Sequence, residues 1–217
     1  DLEREADLVE EIARLNGLDA IPDMMPSAPS VSNLDETPFR AKKQLRAICL
    51  SLGFTEAMHY SFLSERELDA FDSSNREERL VIPDPVSAEC GVMRPSLLAQ
   101  LYSSLGRNAS YQAESAMLFE MGKVFSAKGG TPTEEERLSL GFFGPVGRES
   151  LRKRAPLGEE EALSWMKGAV ERIISGMHAG KVIFQPAERA AFEKGATLAI
   201  ILNGREVGVM GAVTPKM

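Results

Sequence analysis

Three carboxylates, Asp7, Glu10 and Glu11, stand at i, i+3 and i+4 in the opening stretch DLEREADLVEEIARLNGLDAIP. Hard oxygen ligands grouped in this way suit magnesium, which takes one or two carboxylates and keeps several waters. The stretch must be helical for the three to meet, because those spacings share one face of an α-helix within a single turn. Leu8, Ile12 and Leu15 follow at i, i+4 and i+7 and draw an apolar stripe on another face. Like charges so placed repel by roughly 0.2–0.5 kcal/mol per pair, so water, a cation or a metal must compensate. A solvated acidic face meets the same requirement, and spacing alone does not separate it from a metal site.

Other reactive side chains carry less. His59 and His178 are the only histidines and lie far apart, so no Ser-His-Asp arrangement can be assembled from the sequence. Cys49 falls on an amphipathic helix and is expected to pack, and Trp165, inside another helix, is expected in a core or an interface. Arg148, Arg152, Lys153 and Arg154 form the one basic cluster, a solvated loop or an RNA-phosphate contact.

The composition is that of an ordinary globular chain: 217 residues, 26% charged and 43% hydrophobic, enough for one large domain or a domain with an appendage. A net charge of −7 argues against a dominant nucleic-acid surface. Two distant cysteines, Cys49 and Cys90, exclude a zinc ribbon and a disulfide framework and make a reduced, cytoplasmic setting the expectation. No apolar run approaches the ~20 residues of a membrane span, and no signal peptide precedes the first helix. The abrupt start on a helix suggests a piece of a longer polypeptide.

The elements that would position these residues read as follows. A first helix and its exit occupy 1–22, and a Pro- and Ser-rich stretch runs over 23–36. Thr37 caps a second helix, with Pro38 in its first turn and Gly53 ending it. FTEAMHYSF and LVIPDP are expected as strands, and Ser64 with Glu67 as the capping box of a short helix. RPSLLAQLYSSLGRNA is an amphipathic helix, MLFEMGKVFSA reads as two strands about a tight turn at Gly122, and RLSLGFFGPV is a buried strand. A long helix, EEEALSWMKGAVERIISGM, carries acids in its first turn. The chain closes on a hairpin turned at Asn203-Gly204. Hairpins and isolated helices without βαβ alternation favour an α+β fold with a mainly antiparallel sheet. No Walker loop or GxGxxG follows a strand.

The order of several short segments resembles the β-chain of bacterial phenylalanyl-tRNA synthetase. That family carries an Asp, five residues, then D-L-I-E-E-V-A-R-x-Y-G-Y-D-x-I-P. Here Asp1 precedes Asp7-Leu8-Val9-Glu10-Glu11-Ile12-Ala13-Arg14, then Gly17, Asp19, Ile21 and Pro22, with Asn16 and Leu18 in place of the tyrosines. HYSF resembles the family's NYSF, DPVSAE its NPLSxE, VMRPSLL its V-M-R-T-S-L-L, and LFEMGKVF its L-F-E-I-G-R-V-F. The last hairpin is similar to N-G-x-x-I-G-x-x-G-x-L-H-P, although Thr214-Pro215 replaces the closing H-P and Glu193-Lys194-Gly195 replaces an earlier H-P-G.

The resemblance implies a class II aminoacyl-tRNA synthetase-like core: α+β, a mainly antiparallel sheet with flanking helices. Residues 1–26 would be the last helix and exit of a preceding domain, 27–36 a linker, and 37–217 the core module. It implies a magnesium site at Asp1, Asp7, Glu10 and Glu11, shared with a partner α-subunit. It further implies a role in an α2β2 ligase that uses ATP to attach phenylalanine to tRNA. Class II catalytic cores end a strand on an Arg whose guanidinium forks onto the ATP α-phosphate. The matching strand here runs Gly122-Lys123-Val124-Phe125 into Ser126, and the late Glu-Arg signature is missing. No catalytic residue is therefore assigned, and the module's role would be structural. The alternatives are a stand-alone synthetase-like binding or regulatory module and an active ligase. Met24, Met25, Phe142, Phe143 and Trp165 are candidates for a partner surface.

Overall fold

The computed structural model describes residues 2–25, 27, 36–71, 76–127, 130–146 and 158–213. The chain divides into two compact units, Asp1–Thr37 and Pro38–Met217. In the first, helix α1 (Glu5–Asn16) starts where Asp7 Oδ2 accepts from the backbone N–H groups of Arg4 at 2.9 Å and Glu3 at 3.0 Å. That bond satisfies donors that a helix start leaves unpaired. Gly17 ends the helix at φ +89°, and a 3-10 turn follows over Leu18–Ala20. None of the residues of α1 is buried, and the apolar stripe is open, with Leu15 78% exposed.

The second unit is built on two three-stranded sheets. In the first, β1 (Thr55–Glu56) pairs in parallel with β4 (Ala116–Ser126), and β4 pairs antiparallel with β5 (Thr133–Phe143). The second is fully antiparallel, with β6 (Val182–Pro186), β7 (Phe192–Leu202) and β8 (Arg205–Val213) in that order. A short pair joins β2 (Phe62–Leu63) to β3 (Val92–Met93). The helices are α2 (Thr37–Ser51), α3 (Glu65–Phe71), α4 (Leu98–Ser110) and α5 (Glu159–Gly176).

Side-chain alternation along β4 gives the sheet two different faces. Met117, Phe119 and Met121 pack with Cys49 and Ile48 of α2 and with Ala169 and Ile173 of α5. Trp165 lies against Phe54 at 5.7 Å and Phe142 at 5.1 Å between ring centroids. Trp165 thus packs on the core and Phe142 lies against it, whereas Met24 and Met25 are exposed. Burial pushes the Cys49 thiol up to about 11, as expected of a packing cysteine. The opposite face of β4 and β5 is covered by α4. A Cβ at Gly141 would run into Leu105 Cδ1 at 2.7 Å, so glycine is what lets the helix lie this close.

Local chemistry accounts for most boundaries. Ser64 and Glu67 form the capping box of α3, with Glu67 N–H donating to Ser64 Oγ at 3.1 Å and Ser64 N–H to Glu67 Oε2 at 3.2 Å. Asn203 (φ +51°) and Gly204 (φ +83°) make the hairpin turn. Asn203 also latches it, accepting from Lys181 N–H at 3.1 Å and donating to Ala179 O at 3.0 Å.

Three expectations are corrected. MLFEMGKVFSA is one strand, and Gly122 lies within it opposite Arg137. FTEAMHYSF breaks into β1 and β2, because the chain leaves the sheet to turn His59 inward. LVIPDP makes a single bridge, Val81 to Val92, before Pro83 and Pro85 end pairing. The strand β6 was not expected from the sequence. The basic cluster Arg148–Arg154, most of the linker and Thr214-Pro215 lie outside the described residues.

Candidate functional site

Among the described residues no group of three acidic, histidine or cysteine side chains converges to hold a metal ion. Asp7 turns one oxygen back onto the start of its own helix. Glu11 pairs with Arg14 at 2.5 Å, one turn on, and Glu10 is exposed. Asp1 lies outside the described residues. The helical three share the expected side of α1, but by themselves they do not make a magnesium cage.

The structure instead gathers three of the short motifs at one buried point. Arg94, from VMRPSLL, and Glu120, from LFEMGKVF, form an ion pair at 2.7 Å with side chains 4% and 2% exposed. Arg94 Nε donates to Lys123 O at 2.9 Å, and Nη1 also reaches Gln100 Oε1 at 3.3 Å. His59, from HYSF, sits on the other carboxylate oxygen, with Nδ1 at 2.6 Å from Glu120 Oε2. Its Nε2 lies 2.6 Å from Ser104 Oγ on α4, and its backbone N–H donates to Glu120 Oε1 at 3.2 Å. Gln100 closes the arrangement by donating to Tyr60 O at 2.9 Å and Phe62 O at 3.1 Å.

Each element supplies its part for a local reason. Arg94 is threaded by its backbone between Ser61 O, which accepts its N–H, and Phe125 N–H, which donates to its carbonyl, both at 2.9 Å. Glu120 projects from the α4 side of β4 by strand alternation. Gly122, two residues on, points the same way, and a Cβ there would overlap Arg94 Nη2. A buried carboxylate needs this many donors, because its charge is otherwise too costly to remove from water. The set ties the 57–63 segment, α4 and β4 to one another. Ser104 and Glu120 were not singled out by sequence reasoning; one signal was available, the isolated Gly122 inside a strand pattern, which marks close approach.

Where a class II catalytic strand would end on arginine, Ser126 Oγ instead lies 2.7 Å from Thr133 Oγ1 across the hairpin. Elsewhere Asp69 is held below the usual carboxylate range, first by its hydrogen bond from Arg79 and then by Arg76, an anchor for α3.

Comparisons with known proteins agree with this fold. The model of the phenylalanyl tRNA synthetase beta chain CLM domain matches residues 21–217. The phenylalanine–tRNA ligase beta subunit of Syntrophotalea carbinolica is 33% identical over all of this chain, which covers 27% of that protein. The Bacillus subtilis beta subunit is 31% identical, again over all of this chain and 27% of its own length. The chain thus spans about a quarter of the curated relatives it matches. Among solved structures, a pyrrolysyl tRNA synthetase from Desulfitobacterium hafniense superposes with a TM-score of 0.61 at 11% identity, over 94% of this chain and 61% of that one. An ATP phosphoribosyltransferase regulatory subunit/histidyl-tRNA synthetase from Bacillus halodurans gives 0.55 at 12% identity, over 75% of this chain and 41% of that one. These likenesses establish a class II synthetase-like fold, α+β with largely antiparallel sheets and flanking helices. With the family model covering the whole second unit, this chain belongs to the phenylalanyl-tRNA synthetase beta-chain family, in its CLM domain.

Proposed function

We propose that this chain is a non-catalytic, structural part of the β-subunit of phenylalanine–tRNA ligase. Its work is assembly with the α-subunit in an α2β2 enzyme that uses ATP to attach phenylalanine to tRNA. The observation that carries the non-catalytic reading is the state of β4. Its last residue is Ser126, bonded to Thr133, and its two faces are occupied by α2 and α5 on one side and α4 on the other. A short hydroxyl already bonded across a hairpin supplies no charge to a phosphate. The match to beta subunits along the whole chain favours a subunit over a stand-alone module.

Within this reading, residues 1–26 end a preceding domain, 27–36 link it to the core, and 37–217 form the core. The family match beginning at residue 21 and the division into units after Thr37 support that partition. No helix among the described residues is long and apolar enough to cross a membrane, and a cytoplasmic location is part of the same proposal.

Two measurements test it. Full-length β-chain purified without its α-chain should give no phenylalanine-dependent exchange of pyrophosphate into ATP, and mixing in the α-chain should restore it. Exchange by the β-chain alone would sink the non-catalytic reading. The second concerns magnesium, which we place at Asp1, Asp7, Glu10 and Glu11 with the remaining ligands from the α-subunit. Magnesium needs only one or two carboxylates when a partner and water complete its shell. Glu10→Gln combined with Glu11→Gln should therefore raise the magnesium concentration needed for assembly, read by sedimentation. An unchanged requirement would remove the site while leaving the rest of the proposal standing.

A further inference from the structure

We propose that Ser104 is an acyl-accepting nucleophile, with His59 as its general base and Glu120 as the residue that positions His59. Ser104 Oγ is 2.6 Å from His59 Nε2, and His59 Nδ1 is 2.6 Å from Glu120 Oε2. An ionised carboxylate only accepts, so the ring proton is assigned to Nδ1, and Nε2 of the neutral ring faces the Ser104 hydroxyl as an acceptor. That is the order nucleophile, base, orienting acid on which activated serines depend. Glu120 is held from its other side by Arg94 Nη1 at 2.7 Å and the His59 backbone N–H at 3.2 Å. Its charge and direction are fixed before any reactant arrives.

The pair at the outer end remains within reach of solvent. The His59 side chain is 18% exposed and Ser104 is half-buried, while Glu120 and Arg94 behind them are buried. Ser110, on the same helix, serves as an internal contrast. It is exposed and its hydroxyl donates to Gly106 O at 3.0 Å.

The position on α4 also limits the chemistry. Ser104 is mid-helix, where backbone N–H groups are spent on the helical ladder and do not form an oxyanion hole. Amide hydrolysis needs such donors. An acyl donor that brings its own good leaving group does not, and the class is therefore acyl phosphates and aryl esters. In the step, the Ser104 Oγ–carbonyl carbon bond forms as the Oγ proton passes to His59 Nε2. The acyl C–O bond then breaks, its electron pair leaving on phosphate or aryloxide. Glu120 stays ionised beside the imidazolium, which returns its proton to solvent. The product is one acyl group per chain, an ester on Ser104, distinct from any ligase chemistry.

The test uses the full-length β-chain assembled with its α-subunit, treated separately with acetyl phosphate and with p-nitrophenyl acetate, and acetylation mapped by peptide mass. Ser104 should be acetylated on the order of 100-fold faster than Ser110, the usual contribution of a positioned base. In His59→Gln the ratio should fall toward one. In the unaltered protein, acetylation of Ser104 should level off with rising pH as one base is fully deprotonated, whereas that of Ser110 continues to climb with hydroxide. This second readout needs no variant and so survives a folding defect in His59→Gln. Equal rates at the two serines, a ratio indifferent to His59, or a Ser104 rate that tracks hydroxide would each overturn the proposal.

Discussion

Arg94→Ala is expected to destabilise the β-chain by roughly 3–5 kcal/mol, the usual effect of removing one partner from a buried ion pair. The figure needs no discount for solvent screening, since the Arg94 and Glu120 side chains are 4% and 2% exposed. More than one charge is lost. Lys123 O would lose its donor, and Glu120 would remain buried facing only His59. Removing both charges with apolar residues of similar volume, Arg94→Met with Glu120→Leu, should recover part of the loss, because neither charge is then stranded. Recovery stays partial, since His59 and Lys123 O keep polar groups that no longer have partners. Denaturant midpoints of the unaltered chain, Arg94→Met, Glu120→Leu and the double variant close a double-mutant cycle. Additive losses, with no coupling between the two positions, would show that the pair is not what holds the motifs together.

Gly122→Ala should be nearly as damaging for a group as small as a methyl. Overpacking usually costs about 1–3 kcal/mol, and here the atom it strikes is the Arg94 guanidinium, with Leu97 Cδ2 close behind at 3.3 Å. The guanidinium cannot move aside without leaving Glu120, so the loss should extend toward the Arg94→Ala figure. The signature is non-additivity: in an Arg94→Ala background the added methyl should cost much less, because its nearest obstacle has gone and only Leu97 Cδ2 remains. Equal costs in both backgrounds would mean that the contact with Leu97 Cδ2, and not the guanidinium, makes glycine necessary there.

The sequence exposed what local chemistry decides. The capping box at Ser64, the long helix through Trp165 and the Asn203-Gly204 turn all follow from residues within a few positions of one another. It did not expose what is decided across the fold. Gly122 is an example: glycine marks a turn or a close approach, and only the position of Arg94, far back in the chain, selects the second. Three of the network's members lay in motifs whose resemblance to a family was visible, but no spacing announces that His59, Arg94, Ser104 and Glu120 meet. The acidic face of α1 shows the converse. Its periodicity was fully legible, yet two of its three carboxylates are engaged by nearby groups of the same segment, which spacing alone does not reveal.

The short parallel pairing of β1 with β4 has a kinetic consequence. The hairpins β4–β5 and β7–β8 join neighbouring segments and can close early, whereas Thr55 must find Leu118 across the intervening helices. Loop-closure entropy delays such distant contacts. The same delay applies to His59, which travels with β1 and reaches Glu120 only when that crossing is complete. Interactions absent from the folding transition state govern escape from the native state more than entry to it. His59 thus acts as a late-closing clasp: its loss should leave the refolding rate nearly untouched and shorten the lifetime of the folded subunit.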